Sequence, residues 1–108
     1  MKADVNELLI VFDELLIPPT NEEQGVFWFR SVRADGLIVT FSFSIFENYV
    51  GILIRNGFDT AIANIHMKNC YEVRVLDENK RQLEIVHENS QSRCFLDLFG
   101  DDILNYTE

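Results

Sequence analysis

Residues 37–45 read Leu-Ile-Val-Thr-Phe-Ser-Phe-Ser-Ile, and this segment constrains the fold more than any other. Leu37, Val39, Phe41, Phe43 and Ile45 fall on one side of a two-residue repeat. Thr40, Ser42 and Ser44 fall on the other. Alternation of this kind marks an extended strand with one face on a core and the other toward water. Turn signals bracket it, Asp35-Gly36 before and Glu47-Asn48 after, as expected of a chain that doubles back on itself.

The pattern continues on both sides. Residues 26–33 are rich in aromatic and β-branched side chains, and Tyr49 to Ile54 pairs back across Glu47-Asn48. Asn56-Gly57 is a further turn, followed by a weaker strand over 60–67. Tyr71, Val73 and Val75 alternate with Glu72 and Arg74. After the polar turn Asp77-Glu78-Asn79-Lys80, Leu83, Ile85 and His87 alternate with Glu84 and Val86. Residues 93–98 form a final strand. Short connections between strands favour an antiparallel meander over parallel crossovers, which need a dozen or more residues.

The N-terminal segment has a different period. Val5, Leu8, Leu9, Phe12, Leu15 and Leu16 share one face of a 3.6-residue repeat, which predicts a helix over this stretch. Asp4 stands at the N-cap with Glu7 three residues on, as in a capping box. Pro18-Pro19 ends the helix, because a residue before proline is pushed out of the α region. Thr20 to Gly25 is a polar connection, and Gly100-Asp101-Asp102 precedes a short terminal helix or turn carrying Ile103, Leu104 and Tyr106. The expected fold is α+β, a single domain over 1–108. Its N-terminal helix packs on a curved, mostly antiparallel sheet of about six strands or plugs the mouth of a partial barrel.

Charge narrows the function. Against 9 Lys plus Arg stand 18 Asp plus Glu, a net charge of -9. A protein that grips a phosphate backbone needs the opposite sign, so direct nucleic-acid binding is disfavoured. Anionic membrane surfaces are disfavoured for the same reason. The charge is segregated: residues 1–24 sum to -5, residues 25–76 to +1 and residues 77–108 to -5. Acids at 4, 7, 13 and 14 interrupt any secretory signal, and apolar runs fall far short of the roughly twenty residues that span a bilayer. The expected location is the cytoplasm. Cys70 and Cys94 then read as small apolar residues rather than a disulfide framework.

The search for chemistry finds little. The bases available to a nucleophile are His66 and His87. His87 continues the Leu83, Ile85 alternation and reads as a partly buried or strand-end residue. No G-x-S-x-G elbow, phosphate-binding loop or dinucleotide fingerprint is present, and the glycines fall mostly at turns. His66, Cys70, His87 and Cys94 could supply a tetrahedral metal set, but C-x-x-C spacing is missing. The carboxylate pairs Asp13-Glu14, Glu22-Glu23, Asp77-Glu78 and Asp101-Asp102 are sequence neighbours. Adjacent side chains point apart, so they are poor candidates for acid–base work across a cleft and read as solvated charge. The expectation is a non-enzyme with no catalytic, cofactor or metal site. Trp28 reads either as core, under the helix, or as an exposed interface anchor.

The segments Val26-Phe27-Trp28-Phe29-Arg30, Val39 to Glu47 and Asn69 to Asp77 resemble those of small acidic immunity proteins of bacterial polymorphic-toxin and contact-dependent inhibition systems. The resemblance spans residues 26–99. These families are diverse in fold, so it carries over no site residue. It implies a cytoplasmic, non-enzymatic antitoxin that binds a cognate toxin domain, often a nuclease. It would block the active site or a surface beside it. Nuclease toxins are commonly basic, and a chain at -9 would be steered to one. The acids expected to face such a partner are Glu22, Glu23, Asp77, Glu78, Asp97, Asp101 and Asp102, with the nearly neutral Ser42/Ser44 face as a second candidate. The alternatives are an acidic secretion chaperone, which would dimerise and hold an extended effector, and a small ligand-binding protein or enzyme, which would need a deep pocket.

Overall fold

The computed structural model describes residues 1–16, 25–58, 60–87, 93–100 and 102–107. In chain order the elements are β1 (Lys2–Ala3), α1 (Val5–Val11), β2 (Glu14–Leu16), β3 (Val26–Val32), β4 (Ile38–Ser44), β5 (Tyr49–Arg55), β6 (Ala61–Met67), β7 (Cys70–Asp77), β8 (Gln82–His87), β9 (Arg93–Asp97) and β10 (Leu104–Thr107). They build two five-stranded sheets, β2-β3-β4-β5-β6 and β1-β7-β8-β9-β10. Every neighbouring pair is antiparallel except β1–β7. The fold is thus β-rich, and the expected sheet of about six strands understates it.

Apart from β1, which pairs with β7, the second sheet is built after Lys68-Asn69. Asn69 takes a left-handed backbone with φ 57°, a conformation that asparagine tolerates better than most residues. The chain turns there from the first sheet into β7, and β7 to β10 pair among themselves. Inner side chains of both sheets join one core that includes Phe29, Phe41, Phe43 and Ile52 from the first and Val73, Leu83, Ile85 and Leu96 from the second. Period-2 alternation states which residues face inward. It does not state which of two layers they belong to.

The N-terminal helix is present but shorter than its periodicity predicts. Asp4 caps it, its carboxylate accepting from the backbone N–H of Asn6 (2.9 Å) and Glu7 (3.2 Å). The helix stops at Phe12, whose backbone is extended, well before Pro18. Leu15 and Leu16 therefore lie in β2, opposite Phe29 and Trp28 of β3. A short apolar stretch fits either period, and here pairing with β3 satisfies the backbone. Leu8, Val11 and Phe12 are fully buried. The Phe12 ring stacks on Phe41 at 5.3 Å and tilts against Phe29 at 5.6 Å.

Two other expectations are corrected. Residues 104–107 form strand β10 on β9, not a helix or helical turn; the backbone N–H of Asp97 donates to Ile103 O at 2.8 Å and closes the link. Thr40, Ser42 and Ser44 do lie opposite the apolar face of β4, yet they are buried rather than wet. Trp28 stands across from Ser42 on one side, and Leu53 stands across from Thr40 on the other, so larger neighbours shelter the small polar side chains. Trp28 itself is half-buried on this outer face, away from the core, with its indole Nε1 shielded and unpartnered.

Backbone and charged contacts clip the sheets together at both ends. At one, the Met1 amino group donates to Asn48 Oδ1 at 2.8 Å, and Cys70 N donates to Asn48 O at 2.8 Å. At the other, Arg33 Nη1 donates to the carbonyls of Leu98 (3.0 Å) and Gly100 (2.9 Å), and Arg81 Nη1 donates to Asp13 Oδ1 at 2.6 Å.

Candidate functional site

The second of these ends gathers acids from distant parts of the chain. It comprises the α1–β2 junction, the β3–β4 and β7–β8 hairpins and the β9–β10 link. Asp77 pairs in register with Gln82, which pairs with Asp97. Adjacent strands lie about 4.8 Å apart, so the two aspartates stand roughly 10 Å from one another across Gln82. Asp97 and Asp102 line an open cleft of about 560 Å³ with Gln82, Asn105, Leu76 and Phe95. Asp13 and Asp35 join the same rim through Arg81 and Arg33.

The rim acids do two different jobs. Asp77 Oδ1 accepts from the backbone N–H of Asn79 (2.9 Å) and Lys80 (3.0 Å) and so organises its turn. Asp97 Oδ1 accepts from Gly100 N at 2.9 Å and Phe99 N at 3.2 Å, while its Oδ2 takes the Gln82 amide at 3.0 Å. These carboxylates shape loops, as aspartate does in turns. Glu78 and Asp102 are exposed and make no side-chain hydrogen bond or ion pair among the described residues. Glu22, Glu23 and Asp101 lie outside the described residues.

Sequence reasoning missed the apolar and cationic parts of this rim. Phe99 is 63% exposed and Val32 55%, and together with Leu98 they border a hollow beneath the β3–β4 hairpin. The Arg81 guanidinium lies 4.9 Å from the Phe99 ring centroid, within cation–π range. Arg81 also has φ 53°, unusual for a non-glycine residue. Its carbonyl accepts from Leu98 N at 3.0 Å. The hydrogen bond from Arg81 holds the Asp13 carboxyl below its ordinary range, against the opposing effect of partial burial. At Asp35 the backbone N–H of Leu37, then Arg33, lowers the pKa. No local sequence signal joins Asp13 to Arg81, because the contact spans both sheets.

Other acids are neutralised in place. Glu84 is 5% exposed on the outer face of the second sheet. It accepts from Arg93 Nε at 3.0 Å and lies 3.8 Å from Arg74. This pairing raises the Arg93 pKa, and the Arg93 guanidinium covers the Phe95 ring at 4.7 Å. His87 stacks on Tyr106 at 5.8 Å. Among the described residues, no group of three or more His, Cys, Asp or Glu is placed to hold a metal ion. No helix among them is long and apolar enough to cross a membrane.

A shape comparison finds a chain from the contact-dependent growth inhibition toxin–immunity protein complex of Klebsiella pneumoniae 342. The match has a TM-score of 0.72 and 16% identity, and it covers 98% of this chain and 93% of that one. At this identity the likeness is one of fold. No family model matches the sequence, and no curated protein matches it.

Proposed function

We propose that this chain is an immunity protein: a non-enzymatic antitoxin of a bacterial contact-dependent inhibition system, acting in the cytoplasm without a cofactor. It binds a cognate toxin domain and neutralises it. The observation that carries this reading is the whole-chain fold correspondence with a member of a toxin–immunity complex. Net charge favours the inhibitor's side of such a pair. A toxin that works on nucleic acid needs cationic surface, whereas this chain carries -9.

The partner that fits is a basic nuclease domain. Six described carboxylates, Asp13, Asp35, Asp77, Glu78, Asp97 and Asp102, share the rim with Arg33, Lys80 and Arg81. Exposed Phe99, Val32 and Leu76 stand among them. Charge around apolar contact area is the usual anatomy of a specific interface. The acids steer the encounter, and the apolar groups supply contact area. Docked there, the rim blocks the toxin's active site or the groove that holds its substrate.

The test begins with the neighbouring reading frame, whose C-terminal domain is expressed with and without this chain. Rescue of growth supports the reading; no rescue at good expression sinks it. Glu78→Lys combined with Asp102→Lys then probes the rim without disturbing the turns that Asp77 and Asp97 hold. Association at low salt should slow about tenfold, with the difference shrinking at high salt.

A further inference from the structure

A second surface, unrelated to the acidic rim, lies along β6. The two sheets have four terminal strands, β1, β10, β2 and β6. Three are short: β1 has 2 residues, β2 has 3 and β10 has 4. Two of them carry a charge, Lys2 and Glu14. Shortness and charge are the devices by which sheets protect their edges. β6 has neither. It runs for 7 residues as Ala-Ile-Ala-Asn-Ile-His-Met, and residues 60–67 contain no Asp, Glu, Lys, Arg or Pro. Among the described residues it pairs with β5 alone. Ile62 is 59% exposed, and Phe58 in the turn before it is 92% exposed.

We propose that β6 is a self-association edge, occupied by β6 of a second copy of this chain in antiparallel pairing. Charge selects this occupant. Two copies at -9 each repel, and that repulsion is least where carboxylates are absent. β6 is such a place. A basic partner gains no electrostatic attraction from this edge and is drawn to the rim instead. The strand is also self-complementary. Antiparallel pairing centred on Asn64 sets Asn64 against its counterpart and Ala63 against the second copy's Ile65. Ala63 and Ile65 both pack on the core, so the inner apolar layer continues from one copy into the next. The same register sets the exposed Ile62 against the second copy's His66, also exposed. The result is one ten-stranded sheet across a two-fold axis, an isologous contact that leaves both acidic rims available.

The proposal does not depend on the immunity reading, and its test is separate. Sedimentation equilibrium of the full chain across the micromolar range should show a dimer of the 12.6 kDa chain. Asn64→Lys, at an exposed position, should give a folded monomer whose circular-dichroism spectrum matches the wild type, with a thermal midpoint that no longer rises with protein concentration. Should that variant fail to fold, Asn64→Cys serves instead. A short bis-maleimide should link two Asn64→Cys copies and fail to link two Glu78→Cys copies. A wild-type monomer throughout the range would overturn the proposal, as would equal cross-linking at both positions. So would a monomeric wild type whose capture of a basic toxin domain is lost in Asn64→Lys, since the edge would then belong to the toxin.

Discussion

Single residues show how local chemistry is spent on holding the rim. Asp13 bonds Arg81 at 2.6 Å, Val32 N at 3.0 Å and the Ser31 hydroxyl at 3.2 Å. Its folded pKa lies below the ordinary 3.8, so ionised Asp13 favours the folded state. That contribution is complete above the unfolded value and disappears as the pH falls through the folded one. Asp13→Asn should therefore lower stability at neutral pH by about 1 kcal/mol, a modest figure because the pair is partly exposed. Denaturant melts at descending pH should show the gap between variant and wild type closing once carboxyls protonate. Gly25 has φ +72°, and a Cβ there would approach the Phe46 ring at 2.7 Å. Phe46 is exposed and can swing aside, so Gly25→Ala should cost about 1–2 kcal/mol, chiefly for the backbone. Adding Phe46→Ala should recover little of that loss in a thermal melt. Burial pushes the Cys70 and Cys94 thiols up to about 11, so maleimide should modify neither in the folded protein and both after denaturation.

Elements were legible where one period ruled without competition. The alternation of 37–45 and the turn at Asp35-Gly36 correspond to β4 and its hairpin, where Gly36 takes φ +88°. The strands expected over 26–33, 49–54, 60–67, around 71–75, 83–87 and over 93–98 are all present within a residue or two. Legibility failed where two readings fit one stretch. Leu15 and Leu16 suit a helix as well as a strand, and pairing with β3 decided the matter. Phe12 marks the switch, locked between Phe29 and Phe41. Phe12→Ala should cost about 3–5 kcal/mol by chemical denaturation, because it empties a fully buried site lined by the Phe29 and Phe41 rings. On the second sheet, Arg93→Met should cost about 1–2 kcal/mol, below the figure for a fully buried pair, because Arg74 remains near Glu84. A smaller loss in Arg93→Met with Glu84→Gln than in Arg93→Met alone would identify the stranded carboxylate as the cause.

At the scale of the whole molecule, the distribution of charge matters more than its total. Glu72 and Glu84 are matched by Lys2, Arg74 and Arg93, whereas Glu78 and Asp102 stand open at the rim. Capture of a basic domain should therefore depend steeply on salt through its association rate, with dissociation much less affected. Stopped-flow mixing at several ionic strengths would measure this. Equal salt dependence for Glu78→Lys and for a charge reversal at the opposite end of the first sheet, such as Glu47→Lys in the exposed β4–β5 turn, would show that net charge alone is at work.

The amino-acid sequence determined the seven strands from β3 to β9, the turns between them, the capped start of the helix and the sign of the charge. Each of these follows from side chains within a few positions of one another. Tertiary structure decided the rest. It split the strands into two layers, ended the helix at Phe12, sheltered Thr40, Ser42 and Ser44 behind Trp28 and Leu53, and brought Asp13 to Arg81. Among the described residues, it also divided the expected acids into Asp77 and Asp97, which hold turns, and Glu78 and Asp102, which face outward. Such outcomes depend on contacts between residues dozens of positions apart, and a local period carries no information about which distant backbone will supply the partner.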